Sequence, residues 1–270
     1  MSFTAPVINW AGLGPVLIIL GAGLLGVLVE AFVPRRARQV TQTVLSLLAL
    51  LASGVVLAVR WVALRDPLLT GRAAVRPSGL GEVEDGLSVV AQGVLLVIGF
   101  LALLVMADRT TVGDGAFAAQ AADRPGSAEE SESTRAGWTT TEVFPLALFC
   151  LAGMMLFPAV GDLISLFVTL EMVSLPLYIL AATARHRRLL SQEAALKYFV
   201  LGAFASAFLL MGSALLYGVA GAVDYKTLGE AVSSAAGQDW LILAGLMLVI
   251  VGLLFKVAAV PFHAWSPDVY

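Results

Sequence analysis

The chain has 270 residues, of which 59% are hydrophobic and only 13% charged, with a formal net charge of −3. A soluble domain averages about 45–50% apolar and about 25% charged residues, so a soluble fold would leave a core with almost no surface to cover it. The small net charge gives no reason to expect a nucleic-acid partner.

The apolar residues fall in blocks near the roughly 20 residues that a helix needs to cross a hydrocarbon core of about 30 Å. The first span runs from about Leu13 to Val33, where Pro34 and an arginine cluster stop it. The second covers about Val40 to Val59 and the third about Leu87 to Ala107. Span four runs from Val143 to about Val160, span five from Leu163 to about Ala182, and span six from about Ala194 to Val219. Span seven starts at Trp240 and is expected to continue past Pro261. Barrel strands would be about ten residues long and would alternate apolar with polar. Nothing here alternates, so the predicted fold is an all-α integral membrane protein of about seven transmembrane helices, the last broken at a proline. The first ten residues carry no Lys or Arg and the block after them is longer than a signal core; span one is therefore expected to be retained.

Loop charge sets an expected orientation. Arg35, Arg36, Arg38, Arg109, Arg124, Arg135, Arg185, Arg187 and Arg188 lie on one side, against Arg60, Arg65, Arg72, Arg76 and Lys226 on the other. The positive-inside rule places the N-terminus outside the cytoplasm and Tyr270 near or in it. The chain divides into three leading helices (1–110), an acidic, flexible cytoplasmic loop (111–142) and a four-span unit (143–270). The loop includes Asp114, Asp123, Glu129, Glu130, Glu132 and Glu142, and its RPGSAEESESTRAG stretch has little to bury. It reads as a solvated insertion, with a docking arm for a basic partner as the alternative.

Cys150 is alone in span four, which rules out a disulfide or metal-cluster framework within the chain. The informative residues are charges inside apolar helices, which cost about 2.5–3.5 kcal/mol at mid-bilayer and usually mark ion or proton pathways. Glu171 lies eight residues into span five, about 12 Å deep, in LFVTLEMVSLPLYIL. Pro176, five residues on, has no N–H to give the carbonyl of Met172. Lys256 repeats the pattern in GLLFKVAAVPFHAW, where Pro261 is expected to free the carbonyl of Val257 and His263 follows as a further candidate for proton transfer. The competing readings are an interhelical salt bridge for Glu171 and a snorkelling side chain for Lys256. Lys197, one turn after Glu193, reads as a surface pair. Glu30, one turn from Arg35 and Arg36, reads as another, Asp162 and Asp239 as interface residues and His186 as solvated. Gly202, Ser206, Gly245 and Gly252 are spaced for close helix packing.

DLISLFVTLEMVSLPLYIL, EAALKYFVLGAFASAFLLMGSALLYG and GLLFKVAAVPFHAWSPDVY, in that order, resemble the antiporter-like membrane subunits of respiratory complex I, the proton-pumping NADH:quinone oxidoreductase. The resemblance covers residues 143–270 most strongly. It implies the first inverted-repeat half of a fourteen-helix antiporter-like fold, with Glu171 and Lys256 as a proton-handling pair and Lys197 as a tuning lysine. It also implies no redox cofactor in this chain, with NADH, FMN, Fe–S clusters and quinone held by partner subunits of a bacterial plasma-membrane complex. The second repeat is absent, so the chain is expected to be a piece of a longer protein or a half-unit. Other readings are a subunit of a multi-subunit cation/proton antiporter, a non-transporting structural subunit, or a free-standing secondary transporter.

Overall fold

A computed structural model of the chain describes residues 8–65, 76–77, 81–108, 116–120, 122–136, 141–185, 188–234 and 239–270. His186, Arg72, Arg109, Asp114 and Arg187 lie outside the described residues. The elements in chain order are α1 (Trp10–Phe32), α2 (Arg35–Arg65), β1 (Arg76–Pro77), β2 (Val83–Glu84) and α3 (Gly86–Ala107). They continue as α4 (Ala128–Arg135), α5 (Val143–Leu156), α6 (Leu163–Ala182), α7 (Arg188–Ala220), α8 (Tyr225–Ser234), α9 (Asp239–Lys256) and α10 (Ser266–Val269). The strands form a two-residue antiparallel ladder.

Among the described residues, α1, α2, α3, α6 and α7 are long and apolar enough to cross a membrane, and the shorter α5 and α9 are equally apolar. The expected seven spans are therefore all helices. Their ends differ where charge misled the reading. α2 and α7 run beyond their apolar blocks, because a helix continues into water while its arginines and lysines reach the interface. Arg65, for example, lies over the Trp61 ring at 4.2 Å. α1 stops before Pro34, whose ring disfavours a helical residue ahead of it, and α2 starts directly after it. Asp85 and Ser88 form a capping box for α3, and the Asp162 carboxylate accepts from the Ser165 N–H at 2.7 Å to start α6.

α5 is the joint of the bundle. It packs against α1 and α3 on one side and α6 on the other, and α6, α7 and α9 continue the second group. Ile19, Phe144, Leu148 and Met155 are fully buried in the first group, and Leu209 and Leu216 in the second. Large apolar side chains such as Leu51, Val97 and Phe204 are exposed around the outside, as expected where lipid replaces water. Gly153 sits against the Met172–Val173 backbone, and a Cβ on Gly212 would lie 2.6 Å from the carbonyl oxygen of Gly245. Those two glycines let α5 meet α6 and α7 meet α9.

Three expectations need correction. The acidic loop is not featureless. Residues 128–135 form α4, capped by Ser127, and Glu130 pairs with Arg188 at 2.8 Å. The Ala118 N–H donates to the Thr183 carbonyl and the Arg185 N–H to that of Ala116. The loop thus docks on the α6–α7 turn through backbone groups, which apolar content could not reveal. Residues 225–234, left as loop, form the amphipathic α8.

The third correction concerns span seven, which does not carry on past Pro261. α9 stops at Lys256 with Ala258 in the left-handed region at φ 53°. The Ala258 N–H donates to Phe255 and the Ala259 N–H to Leu254, the bond pair of a Schellman cap. This cap, not Pro261, takes Val257 out of the helix. The Trp265 indole then donates to the Phe255 carbonyl at 3.1 Å. Its ring stacks on Tyr198 at 4.4 Å, and Tyr198 meets Tyr178 edge-on at 4.5 Å. Aromatic packing on α7 therefore holds the break.

Candidate functional site

Glu171 and Lys256 come together. Lys256 Nζ lies 3.6 Å from Glu171 Oε1, with side-chain exposures of 12% and 23%. Three helices build the site. α6 presents Glu171, Ser174 and Tyr178 on one face by their three- and four-residue spacing. α7 brings Ser206, whose hydroxyl donates to Glu171 Oε1 in a short hydrogen bond. α9 delivers Lys256 from its last turn, where Nζ donates to Ser174 Oγ at 2.6 Å. Ser174 in turn donates to the Leu170 carbonyl at 2.6 Å.

The arrangement is a partly buried ion pair with unequal support. Glu171 accepts from a hydroxyl and faces a cation; Lys256 donates to a hydroxyl at the end of a broken helix. Irregular backbone at membrane depth is tolerated only inside protein or beside water. Pro176 keeps α6 continuous while leaving the Met172 carbonyl without its usual N–H partner. Tyr178 is buried with its hydroxyl over Gly202. Such a group can hold, exchange and pass a proton between oxygen and nitrogen acids through hydroxyls. Among the described residues, no group of three or more His, Cys, Asp or Glu side chains is placed to hold a metal ion.

The other singled-out residues lie elsewhere. Lys197 is 47% exposed and bridges Glu193 and Asp268, each at 2.8 Å. It thus joins α7 to α10 and does not reach the pair. His263 is exposed in the turn after the break. Glu30 pairs with Arg38 at 3.5 Å and accepts from Gln42 at 2.7 Å, not with Arg35 or Arg36 as the sequence suggested. Asp162 is buried as the α6 cap. Sequence reasoning missed Ser174, although its i+3 spacing from Glu171 was a usable signal. Ser206 was read only as a small packing residue, and its hydrogen bond needed the α6–α7 register.

The family described as NADH:quinone oxidoreductase/Mrp antiporter, transmembrane, matches residues 160–270, the stretch that carries α6 to α10 and the whole site. The full chain is 51% identical to NADH-quinone oxidoreductase subunit N of Beutenbergia cavernae. The matched stretch and this relative make the chain similar to antiporter-like membrane subunits. Over 98% of its length it is 50% identical to subunit N of Acidothermus cellulolyticus. It covers 51% and 50% of those two proteins, so the chain spans about half the length of the curated relatives it matches. Among solved structures, a chain of respiratory complex I from Thermus thermophilus superposes with a TM-score of 0.65 at 29% identity, covering 95% of this chain and 47% of that one. A chain of the Mrp complex from Dietzia shares the fold at 23% identity, with a TM-score of 0.61 over 96% of this chain and 45% of that one.

Proposed function

We propose that this chain is part of a proton-translocating membrane subunit of a NADH:quinone oxidoreductase. In this reading Glu171 and Lys256 exchange protons in step with quinone chemistry in other subunits. The observation that carries it is the partly buried Lys256–Glu171 pair, 3.6 Å apart, at a helix break inside a membrane bundle. Ionisable groups inside a membrane are expensive and are retained chiefly for such pathways. The names of the most similar relatives support the complex, and the fold supports neighbouring antiporter-like subunits as partners.

Lys197 enters the reading through Asp268, holding the segment that follows the break; in the same reading the exposed His263 exchanges protons with water on the cytoplasmic side. NADH, FMN, Fe–S clusters and quinone belong to partner subunits, and no redox step runs in this chain. The location is a bacterial plasma membrane with the N-terminus outside the cytoplasm, from the arginine bias of the loops. Residues 1–110, 111–142 and 143–270 act as leading helices, cytoplasmic loop and proton-handling unit.

The test is proton uptake into vesicles bearing the assembled complex, with electron transfer measured in parallel. Lys256→Met is expected to abolish most coupled uptake. Lys256→Arg is expected to fail nearly as badly, because a guanidinium does not release its proton. Wild-type uptake in an assembled Lys256→Met complex would remove the lysine from the pathway.

A further inference from the structure

A second ionisable cluster sits at the opposite end of the leading helices from Glu30, with its two carboxylates outside the membrane-spanning segments. Glu82 and Glu84 lie in the connection between α2 and α3, and both are buried, at 4% and 3% exposure. They share one guanidinium. Arg60 of α2 donates to both oxygens of Glu84, with Nε at 2.7 Å from Oε1, and Asn9 of α1 adds a bond to Oε2 at 2.8 Å. Glu84 is thereby served twice over. Glu82 Oε2 is buried with no hydrogen-bond partner. Its Oε1 lies 3.0 Å from where a Cβ on Gly12 would be, so the carboxyl is pressed against α1 where only glycine leaves room.

An ionised carboxylate oxygen buried without a donor carries a large desolvation cost, and a group in that position neutralises instead. Arg76 is the cation carried by the strand whose backbone pairs with Glu84, and among the described side chains none donates to Glu82 Oε2. Asp162 is turned to Ser165, Asp85 is used in the α3 cap, and Val160 and Gly161 approach with their backbone only. The Arg60 guanidinium is thus spent on Glu84, and Glu82 keeps a buried oxygen without a donor. We propose that Glu82 is a proton-binding site, the Glu82–Glu84 pair holding one proton on Glu82 beside the Arg60–Glu84 ion pair.

Burial, then the like charge of Glu84, pushes the Glu82 carboxyl up to about 7, against the pull of Arg60, so the bound proton titrates in the physiological range. The site is also wired to the bundle. The Glu82 backbone bridges Val160, and the Gly161 N–H donates to the Gly81 carbonyl at 2.7 Å. The proton thus sits in the clamp between the leading helices and the turn that starts α6. It is separate from the Glu171–Lys256 pair, and its failure would leave that pair untouched.

The experiment is pH-difference infrared spectroscopy on the membrane-embedded complex. A protonated-carboxyl band is expected to disappear with a midpoint near pH 7, to be lost in Glu82→Gln and to persist in Glu171→Gln. Glutamine mimics the neutral acid, so the variant is expected to assemble. Should it fail, Glu84→Gln carries the test by itself: removing the like charge and freeing Arg60 should move the midpoint down by at least one pH unit. An unaltered band in Glu82→Gln, or an unmoved midpoint in Glu84→Gln, would overturn the proposal. So would loss of the band on adding sodium at fixed pH, since a metal cation would then hold the site.

Discussion

Replacing Glu171 with glutamine removes one charge and almost nothing else. The amide oxygen can still accept from Ser206, and the side chain keeps its length, so α6 and α7 should pack as before. What disappears is the field at Lys256 Nζ, 3.6 Å away. At an effective dielectric of about 20, opposite charges at that separation attract by ~4–5 kcal/mol. Glu171 is 23% exposed, which screens part of this and leaves roughly 2–4 kcal/mol. A loss of that size corresponds to a factor of well over ten in any equilibrium that the pair controls. Assembled Glu171→Gln complex in sealed vesicles should therefore keep NADH oxidation measurable while dye-reported proton uptake falls at least tenfold. Glu171→Asp should retain part of the uptake, since the proton site survives at shorter reach. The double variant Glu171→Gln with Lys256→Met should be no worse than the more damaging single change, as for groups that act as a unit. An unchanged ratio of protons to electrons in Glu171→Gln would refute the reasoning, because the charge would then be structural.

Other expectations follow from the packing and the surface. Gly212→Ala should destabilise the bundle by ~1–3 kcal/mol of overpacking, read as a lower thermal midpoint in detergent, because the new methyl would meet the Gly245 carbonyl and the Val249 nitrogen, backbone atoms that cannot move aside; an unchanged midpoint would mean that α7 and α9 can separate freely. Lys197→Met should leave the thermal midpoint nearly unchanged, as for solvent-screened ion pairs, and a tenfold loss of proton uptake there would show a part beyond anchoring α10. The Arg188 guanidinium holds the Glu130 carboxyl below the usual carboxylate range, so this contact contributes fully above about pH 4.3 and is lost as pH falls through the lower folded value. Intrinsic-rate-corrected hydrogen exchange in residues 128–135 should be flat from about pH 5 to 8 and rise in stronger acid. A membrane-impermeant thiol reagent applied from the cytoplasmic side should label a cysteine placed at Glu132 and not one at Asp224; the reverse pattern would invert the orientation.

Much of the fold was legible because a bilayer imposes its own length on apolar helices. Leu163–Ala182 matched its expected bounds, and every apolar block became a helix. Glu171 and Lys256 were legible for the same reason: a charge in such a block is costly, and the cost itself marks the residue. Where the cost is absent, sequence is silent. The acidic insertion looked unstructured because α4 docks by one ion pair and a few backbone bonds, which leave no periodic trace. Glu82 and Glu84 lie in a connecting segment where carboxylates are ordinary, and only the approach of α1 and α2 buries them. The end of α9 was misplaced because the sequence pointed to Pro261, while the stop comes from a left-handed Ala258 stabilised by Trp265 packing on Tyr198. Composition and local spacing determined that this chain spans a membrane and which charges are out of place in it. The tertiary structure alone decided which groups meet them, since Ser206 and Lys256 reach Glu171 only through the register of three helices, and register is set by shape complementarity at positions such as Gly153 and Gly212, not by hydropathy.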